Sequence, residues 1–182
     1  MNKRVNSYQK GARREREAIA LCEQIFSGVT FKRNRDQFSQ KNLADLKASV
    51  PGFILSLEIK GAASGGFKIA WLDQAQRAAK LTGQLACVLY KIDRKDWRMA
   101  MTAGGFLQLV WGRTREFDDL TDPIITTPDT IGTLVNESMS SGKWICSECG
   151  GKGVVEKVMK DPTGFPYEID VTVTCDYCKG LG

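Results

Sequence analysis

The chain has 182 residues, 42% of them hydrophobic, which is enough for one core of ordinary size plus a small appendage. Its formal net charge is +5 and it contains no histidine, so serine triads, HNH nucleases, Cys2His2 fingers and every other site built on imidazole are excluded. No apolar run nears the roughly 20 residues of a bilayer-spanning helix. The start MNKRVNSYQKGARRERE lacks a hydrophobic signal core, so no membrane partner and a cytoplasmic location are expected.

From Ser7 to Phe26 the pattern is that of an amphipathic helix, with Ala12, Glu15, Ile19, Cys22 and Phe26 recurring at steps of three and four. Glu15 thus lies on the apolar seam. A carboxylate aimed at a core is costly unless it is paired or binds a metal; near a helix start it can instead escape to water, favoured there by the helix dipole. The early chain also concentrates positive charge at Lys10, Arg13, Arg14 and Arg16, then at Arg33 and Arg35. Such a cluster is either a surface for a polyanion such as DNA or a solvated helix face. A short strand over Val29 to Lys32 and a polar loop from Asn34 to Asn42 follow.

The next segment, ADLKASVPGFILSLEIK, reads as a β-hairpin. Proline then glycine at the centre of Val50-Pro51-Gly52-Phe53 suits a type II turn, because proline presets φ and glycine accepts a positive φ. With Val50 opposite Phe53, Leu46 meets Leu57 and Asp45 comes opposite Glu58. Side chains alternate across a strand, so Leu46, Ala48, Val50, Phe53, Leu55 and Leu57 share an apolar face, while Asp45, Lys47, Ser49, Ser56, Glu58 and Lys60 share a polar one interrupted by Ile54. Opposed carboxylates repel, and a divalent cation such as magnesium offsets that repulsion, taking oxygen ligands from one or two carboxylates. With Lys60 on the same face, the arrangement is that of sites that cut phosphodiesters; a hairpin with a solvated charged face is the plainer alternative.

After Lys60 the stretch GAASGG predicts a flexible connection, WLDQAQRAAKL (Trp71 to Leu81) a second helix ended by Gly83, and LACVLYKI (Leu85 to Ile92) a buried strand. Gln74 and Gln76 on that helix are candidates to position water or phosphate, or are simply polar residues on an exposed face. Asp93 to Asp96 turns into a strand over Trp97 to Met101, and Ala103 to Trp111 suggests a third helix. The order of elements predicts an α/β fold with a central mixed sheet flanked by helices over residues 1–112. Residues 113–142, with Pro123 and Pro128 among many Thr and Asp, read as a linker carrying a short helix near Ile131 to Met139.

Residues 143–182 form a separate module. Cys146 and Cys149 in CSECGGKG, and Cys175 and Cys178 in CDYCKGLG, give two CxxC pairs each leading into Gly-x-Gly. Four thiolates bind zinc tetrahedrally, and the glycines allow the tight turns that bring backbone amides toward sulfur. Val154 to Met159 and Ile169 to Val173 alternate like the arms of a hairpin, which would join the two pairs. A segment this small needs the metal for stability, and in a reducing compartment structural zinc is expected in place of disulfides. Cys22 and Cys87, on apolar faces, are expected in the core.

Both cysteine pairs resemble the CxxCxGxG repeats of DnaJ-type chaperones, in two copies, without a J-domain. Lys10-Gly11-Ala12, Glu15-Arg16-Glu17, Asp45-Leu46 and Glu58-Ile59-Lys60, with Asp96-Trp97-Arg98 closing the order, resemble an archaeal-type Holliday junction resolvase of the PD-(D/E)xK nuclease superfamily over roughly residues 9–102. The chain departs from that family in a longer loop before the hairpin, in Ala44 where a proline is expected, and in the added cysteine module. The resemblance implies a restriction-endonuclease-like core and a metal-dependent endonuclease acting on branched DNA. It implies that Glu15, Asp45 and Glu58 are metal-binding catalytic acids, Lys60 the catalytic lysine and Arg16 a DNA-backbone contact. On that reading Asp45, Glu58 and the Ile59 carbonyl hold magnesium or manganese, with Glu15 binding directly or through water, and two symmetric cuts call for a homodimer. Another nuclease of the superfamily, or a noncatalytic zinc-containing DNA-binding module, are the competing expectations.

Overall fold

In the computed structural model of the chain, residues 7–34, 43–50, 53–111 and 117–140 are described, together with the backbone of two strands at 154–160 and 168–174. Helix α1 spans Ser7–Ile25, and its seam of Ala18, Cys22 and Ile25 is buried with Phe26 beyond its end. Strand β1 (Phe31–Arg33) pairs antiparallel with β2 (Leu46–Ala48). Strand β2 meets β3 (Leu55–Ala62) with Leu46 opposite Leu57, the register expected from the alternating pattern. The central residues of the Pro51-Gly52 turn lie outside the described residues, but the Phe53 N–H donates to the Val50 carbonyl across it, 3.4 Å away. Phe26, Phe31 and Phe53 pack ring against ring at centroid distances of 5.2 to 5.7 Å, joining the end of α1 to β1 and the hairpin.

Helix α2 (Ile69–Thr82) crosses over from β3 to β4 (Leu85–Ile92), which lies parallel to it. Gly83 closes α2 in the left-handed conformation at φ 69°, where an L side chain would be strained. Leu72, Ala75, Ala78 and Ala79 are its buried residues, and the small size of the three alanines lets the helix lie close on the sheet. Strand β5 (Trp97–Thr102) continues antiparallel to β4, and α3 (Ala103–Trp111) follows at once. The sheet order is β1-β2-β3-β4-β5-β6, antiparallel throughout except for β3 and β4. Strands in a parallel pair joined by a crossover helix are covered on both faces. Here α2 covers one face over Val88, Tyr90, Ile92 and Ala100, while α1, α3 and α4 contribute to the larger core on the other.

The segment 113–142, expected as a linker with one short helix, supplies two elements of this architecture. Strand β6 (Pro123–Thr126) forms the edge of the sheet beside β5, starting on proline as an edge strand can. Helix α4 (Pro128–Ser140) places Ile131 and Val135 in the main core, both fully buried. Gly132 lies so close to α1 that a Cβ there would come within 2.9 Å of the Ile25 carbonyl oxygen. Asn136 then grips the end of α1 from both sides, its amide donating to the Ile25 carbonyl (2.9 Å) and its oxygen accepting from the Ser27 N–H (3.1 Å).

In the C-terminal segment, β7 (Val154–Lys160) and β8 (Glu168–Thr174) form an antiparallel hairpin, with Val154 opposite Thr174. The four cysteines of the expected zinc module lie outside the described residues. No helix among the described residues is long and apolar enough to cross a membrane.

Because Ile131 is enclosed in the main core, Ile131→Ala is expected to lower the unfolding free energy by about 2–5 kcal/mol in urea denaturation. A loss below about 0.5 kcal/mol would mean that α4 is not part of the cooperative core.

Candidate active site

The ladder between β2 and β3 consists of one residue pair, Leu46 with Leu57, after which the two strands diverge. Asp45 stands at the fork. Its N–H donates to the Leu57 carbonyl (3.1 Å) and its side-chain Oδ2 accepts from the Ile59 N–H (2.7 Å), so a carboxylate replaces the backbone acceptor a continuing strand would offer. The N–H and C=O of a strand residue point to the same side, so the Ile59 carbonyl faces the same gap.

Glu58 projects from the face of β3 that lies beneath α2, with the Asp45 carboxyl close beside its own. That face reads as polar in sequence, yet Ser56 is 2% and Glu58 only 1% exposed, because α2 closes over them. Glu58 Oε1 accepts from Lys60 Nζ at 2.6 Å and from the side-chain amide of Gln74 on α2 at 2.5 Å. Its other oxygen, Oε2, is buried with no hydrogen-bond partner. Gln76, two residues further and so about 200° around the helix, is directed elsewhere.

Burial pushes the Glu58 carboxyl up to about 7, with Asp45 the next cause and Lys60 opposing both. Asp45 is also raised by burial, against the Ile59 N–H and the charge of Lys60. Two adjacent buried carboxylates, both raised by burial and one bearing an unpartnered oxygen, form a site with a deficit of positive charge. A cation, or a shared proton, removes that deficit. The donor set is all oxygen and hard, which suits magnesium or manganese.

Glu15 approaches the pair from α1 with a partner of its own. It is ion-paired with Arg33 on β1. Burial raises its carboxyl most, Arg33 opposes that, and the charge of Asp45 raises it further, so Glu15 faces the site from α1. Among the described residues no three acidic or thiol side chains converge tightly enough to make a ready metal cage. A cavity of about 350 Å³ lies on the α1 side, lined by Lys10, Arg14, Glu15, Ile59, Lys60 and Gly61 among others.

The basic residues expected to meet DNA are partly engaged with acids. Arg13 pairs with Glu17 at 2.8 Å along the helix, and Arg16 is exposed. Lys10 and Arg14 both reach Asp93, at 2.6 and 2.5 Å. Arg35 lies outside the described residues. Asp93 is the residue that sequence reasoning passed over as part of a turn; its partners are 83 and 79 residues away, and no local pattern signals them.

No protein-family model matches the sequence, and no curated protein does. Among solved structures, the chain is similar to that of Hjc, a Holliday junction resolvase from the archaeal hyperthermophile Archaeoglobus fulgidus, at 17% identity and a TM-score of 0.45 over 68% of this chain and 98% of that one.

The raised Glu58 carboxyl carries a pH signature. The unfolded chain titrates it near its ordinary 4.5 and the folded chain near 7, so the native state binds the proton more tightly between those values. Stability from this group is full below the lower value and is lost as pH rises through the upper one. Glu58→Gln removes the loss, so its melting temperature relative to the unsubstituted protein is expected to be higher at about pH 8 than at about pH 5 in metal-free buffer. An equal difference at both pH values would refute the buried, charge-deficient site.

Proposed function

We propose that the chain is a divalent-metal-dependent DNA endonuclease that hydrolyses phosphodiester bonds, with branched DNA such as a four-way junction as its substrate. The observation that carries this reading is the Asp45–Glu58–Lys60 constellation at the fork of β2 and β3, with one Glu58 oxygen buried and unpartnered. Asp45, Glu58 and the Ile59 carbonyl are the groups that would hold magnesium or manganese, with Glu15 reaching it directly or through water. A bound divalent ion there would withdraw charge from a phosphate oxygen and lower the pKa of a bound water.

The chain's own residues supply the rest. Lys60 has its ammonium against Glu58 Oε1; with Glu58 holding a cation, that ammonium would be available to orient the attacking water or to neutralise charge gathering on phosphorus. Gln74, donating to the same oxygen, holds the Glu58 carboxylate in one orientation. Hydrolysis then forms a bond from water oxygen to phosphorus and breaks the bond to the 3′ oxygen, which takes up a proton. The exposed Arg16, with Arg13, lies along the same helix as Glu15 and suits a DNA backbone. Two symmetric cuts in a junction favour a twofold homodimer.

The cysteine module is read as a zinc-stabilised hairpin. The antiparallel register of β7 and β8 supports this, since Val154 opposite Thr174 places side by side the strand ends to which the two CxxC segments attach. A different nuclease of the same class and a noncatalytic DNA-binding module remain the competing readings, and the following measurements separate them.

Labelled four-way junction, flap and linear duplex incubated with the full chain, with and without magnesium, are expected to show metal-dependent cutting with the junction preferred. Equal cutting of all three removes the junction preference and keeps the nuclease. Asp45→Ala and Glu58→Ala are each expected to lower the rate by at least about 10²-fold with DNA binding retained. Near-normal cutting by either variant would sink the site assignment, and no metal-dependent cutting of any substrate would favour the binding module.

Metal analysis of the purified chain is expected to find one zinc per molecule. Cys175→Ser should lose it, and a strong chelator should alter the far-ultraviolet circular dichroism. Zinc-free protein with an unchanged spectrum would overturn the zinc reading.

A further inference from the structure

The cavity between α1 and β3 is bounded by unlike charges in an order that suggests a ligand. Lys10 and Arg14, one turn apart on α1, border it from the helix, and Lys60 and Glu15 border it from the side of the proposed cutting centre. Its floor is Gly61, where a Cβ would come within 2.1 to 2.4 Å of the Arg14 guanidinium. A residue without a side chain at 61 leaves room for that guanidinium to lie against β3. Arg14 also donates to the Ala62 carbonyl at 3.3 Å, so the fork is held in place before any ligand arrives.

Asp93 answers both cations, one carboxylate oxygen to each. It sits in the turn after β4, where Lys95 N–H donates to the Ile92 carbonyl and Arg94 takes a left-handed φ of 66°. The Lys10–Asp93 pair is open to water, its side chains 43% and 37% exposed, whereas Arg14 is only 15% exposed. Exposed ion pairs of this kind contribute little to stability and exchange readily. A carboxylate spanning a lysine and an arginine presents two oxygens much as a phosphodiester does.

We propose that Lys10 and Arg14, on the helix side of this cavity, form a phosphate-binding subsite for a DNA strand, and that Asp93, which pairs with both from outside the cavity's lining, holds their charge until a DNA phosphate displaces it. The cavity shares Ile59 and Lys60 with the proposed cutting centre, so the subsite receives a phosphate neighbouring the one cut. Asp93 sets a threshold: nucleic acid must outcompete an acid already in position, which weakens retention of any strand that does not also fill the fork at Asp45. The inference rests on the reading of the chain as a DNA-acting enzyme.

The test is equilibrium binding of fluorescent duplex and four-way junction to the full chain in chelator, where cutting is silent, over a series of salt concentrations, with inorganic phosphate as competitor. Asp93→Asn, nearly isosteric, is expected to tighten DNA binding about 3–10-fold, since it removes the competing charge. Lys10→Gln, a half-exposed change that leaves the core intact, is expected to weaken binding and to reduce the slope of log affinity against log salt by about 0.9, the value for one phosphate contact. Asp93→Asn binding that is unchanged or weaker in a variant with a normal melting temperature would overturn the proposal, as would a Lys10→Gln slope equal to that of the unsubstituted protein. If Asp93→Asn melts early, the Lys10→Gln slope alone decides. Tight binding of inorganic phosphate with no effect of either substitution on DNA would assign the cavity to the free anion and refute the DNA subsite. A chain with both expected effects that never cuts DNA would keep the subsite and lose the nuclease reading; one that cuts but shows neither effect would do the reverse.

Discussion

A carboxylate at 1% exposure in the middle of a sheet is the constraint around which the rest of this structure is arranged. Glu58 lies on β3 where β3 and β4 run parallel and α2 covers them, and desolvation alone would keep such a group protonated. Lys60 and Gln74 satisfy one oxygen, and Asp45, brought up by the divergence of β2, adds a second negative charge beside the other. A core built only for stability would place a leucine here. A buried pair of this kind is weak evidence for stability, and retaining it makes sense when the charge has a use.

The elements that position the site come from several parts of the chain. The position of α2 depends on its alanines, and Gln84, just beyond Gly83, donates to the Phe53 and Leu55 carbonyls and so fixes the start of β3 against the end of the helix. Helix α1 carries Glu15 and Arg14 near its first half and is gripped at its other end by Asn136 of α4. Arg33 on β1 holds Glu15. The geometry of the site therefore depends on both faces of the sheet.

The hairpin register could be read in the sequence because a period of two, a proline-glycine turn and six apolar residues all point to the same pairing. The limits of α2, β4 and β5 were readable for similar reasons: glycine after the helix, and a continuous apolar run for a strand covered on both faces. What sequence could not show was the cover. Nothing local in LSLEIK says that a helix returns over Ser56 and Glu58, so the face appeared polar and open. Helix α4 was legible as a short helix near Ile131 to Met139 but not as part of the core, because PDTIGTLVNESMS has only a thin apolar stripe and relies on Gly132 for close approach to α1. The charged partners of Glu15, Lys10 and Arg14 escaped because ion pairs across 18 to about 80 residues leave no periodic trace.

The bond from the Ile59 amide to the Asp45 carboxylate has a spectroscopic consequence. The proton of that amide feels the charge on Asp45 directly, whereas its neighbours in β3 feel only other backbone groups. Its nuclear magnetic resonance frequency would therefore follow whatever happens to the carboxylate, whether a proton arrives or an ion binds. One backbone position thus gives a built-in gauge of the state of the pair, readable without a substrate and without altering any side chain.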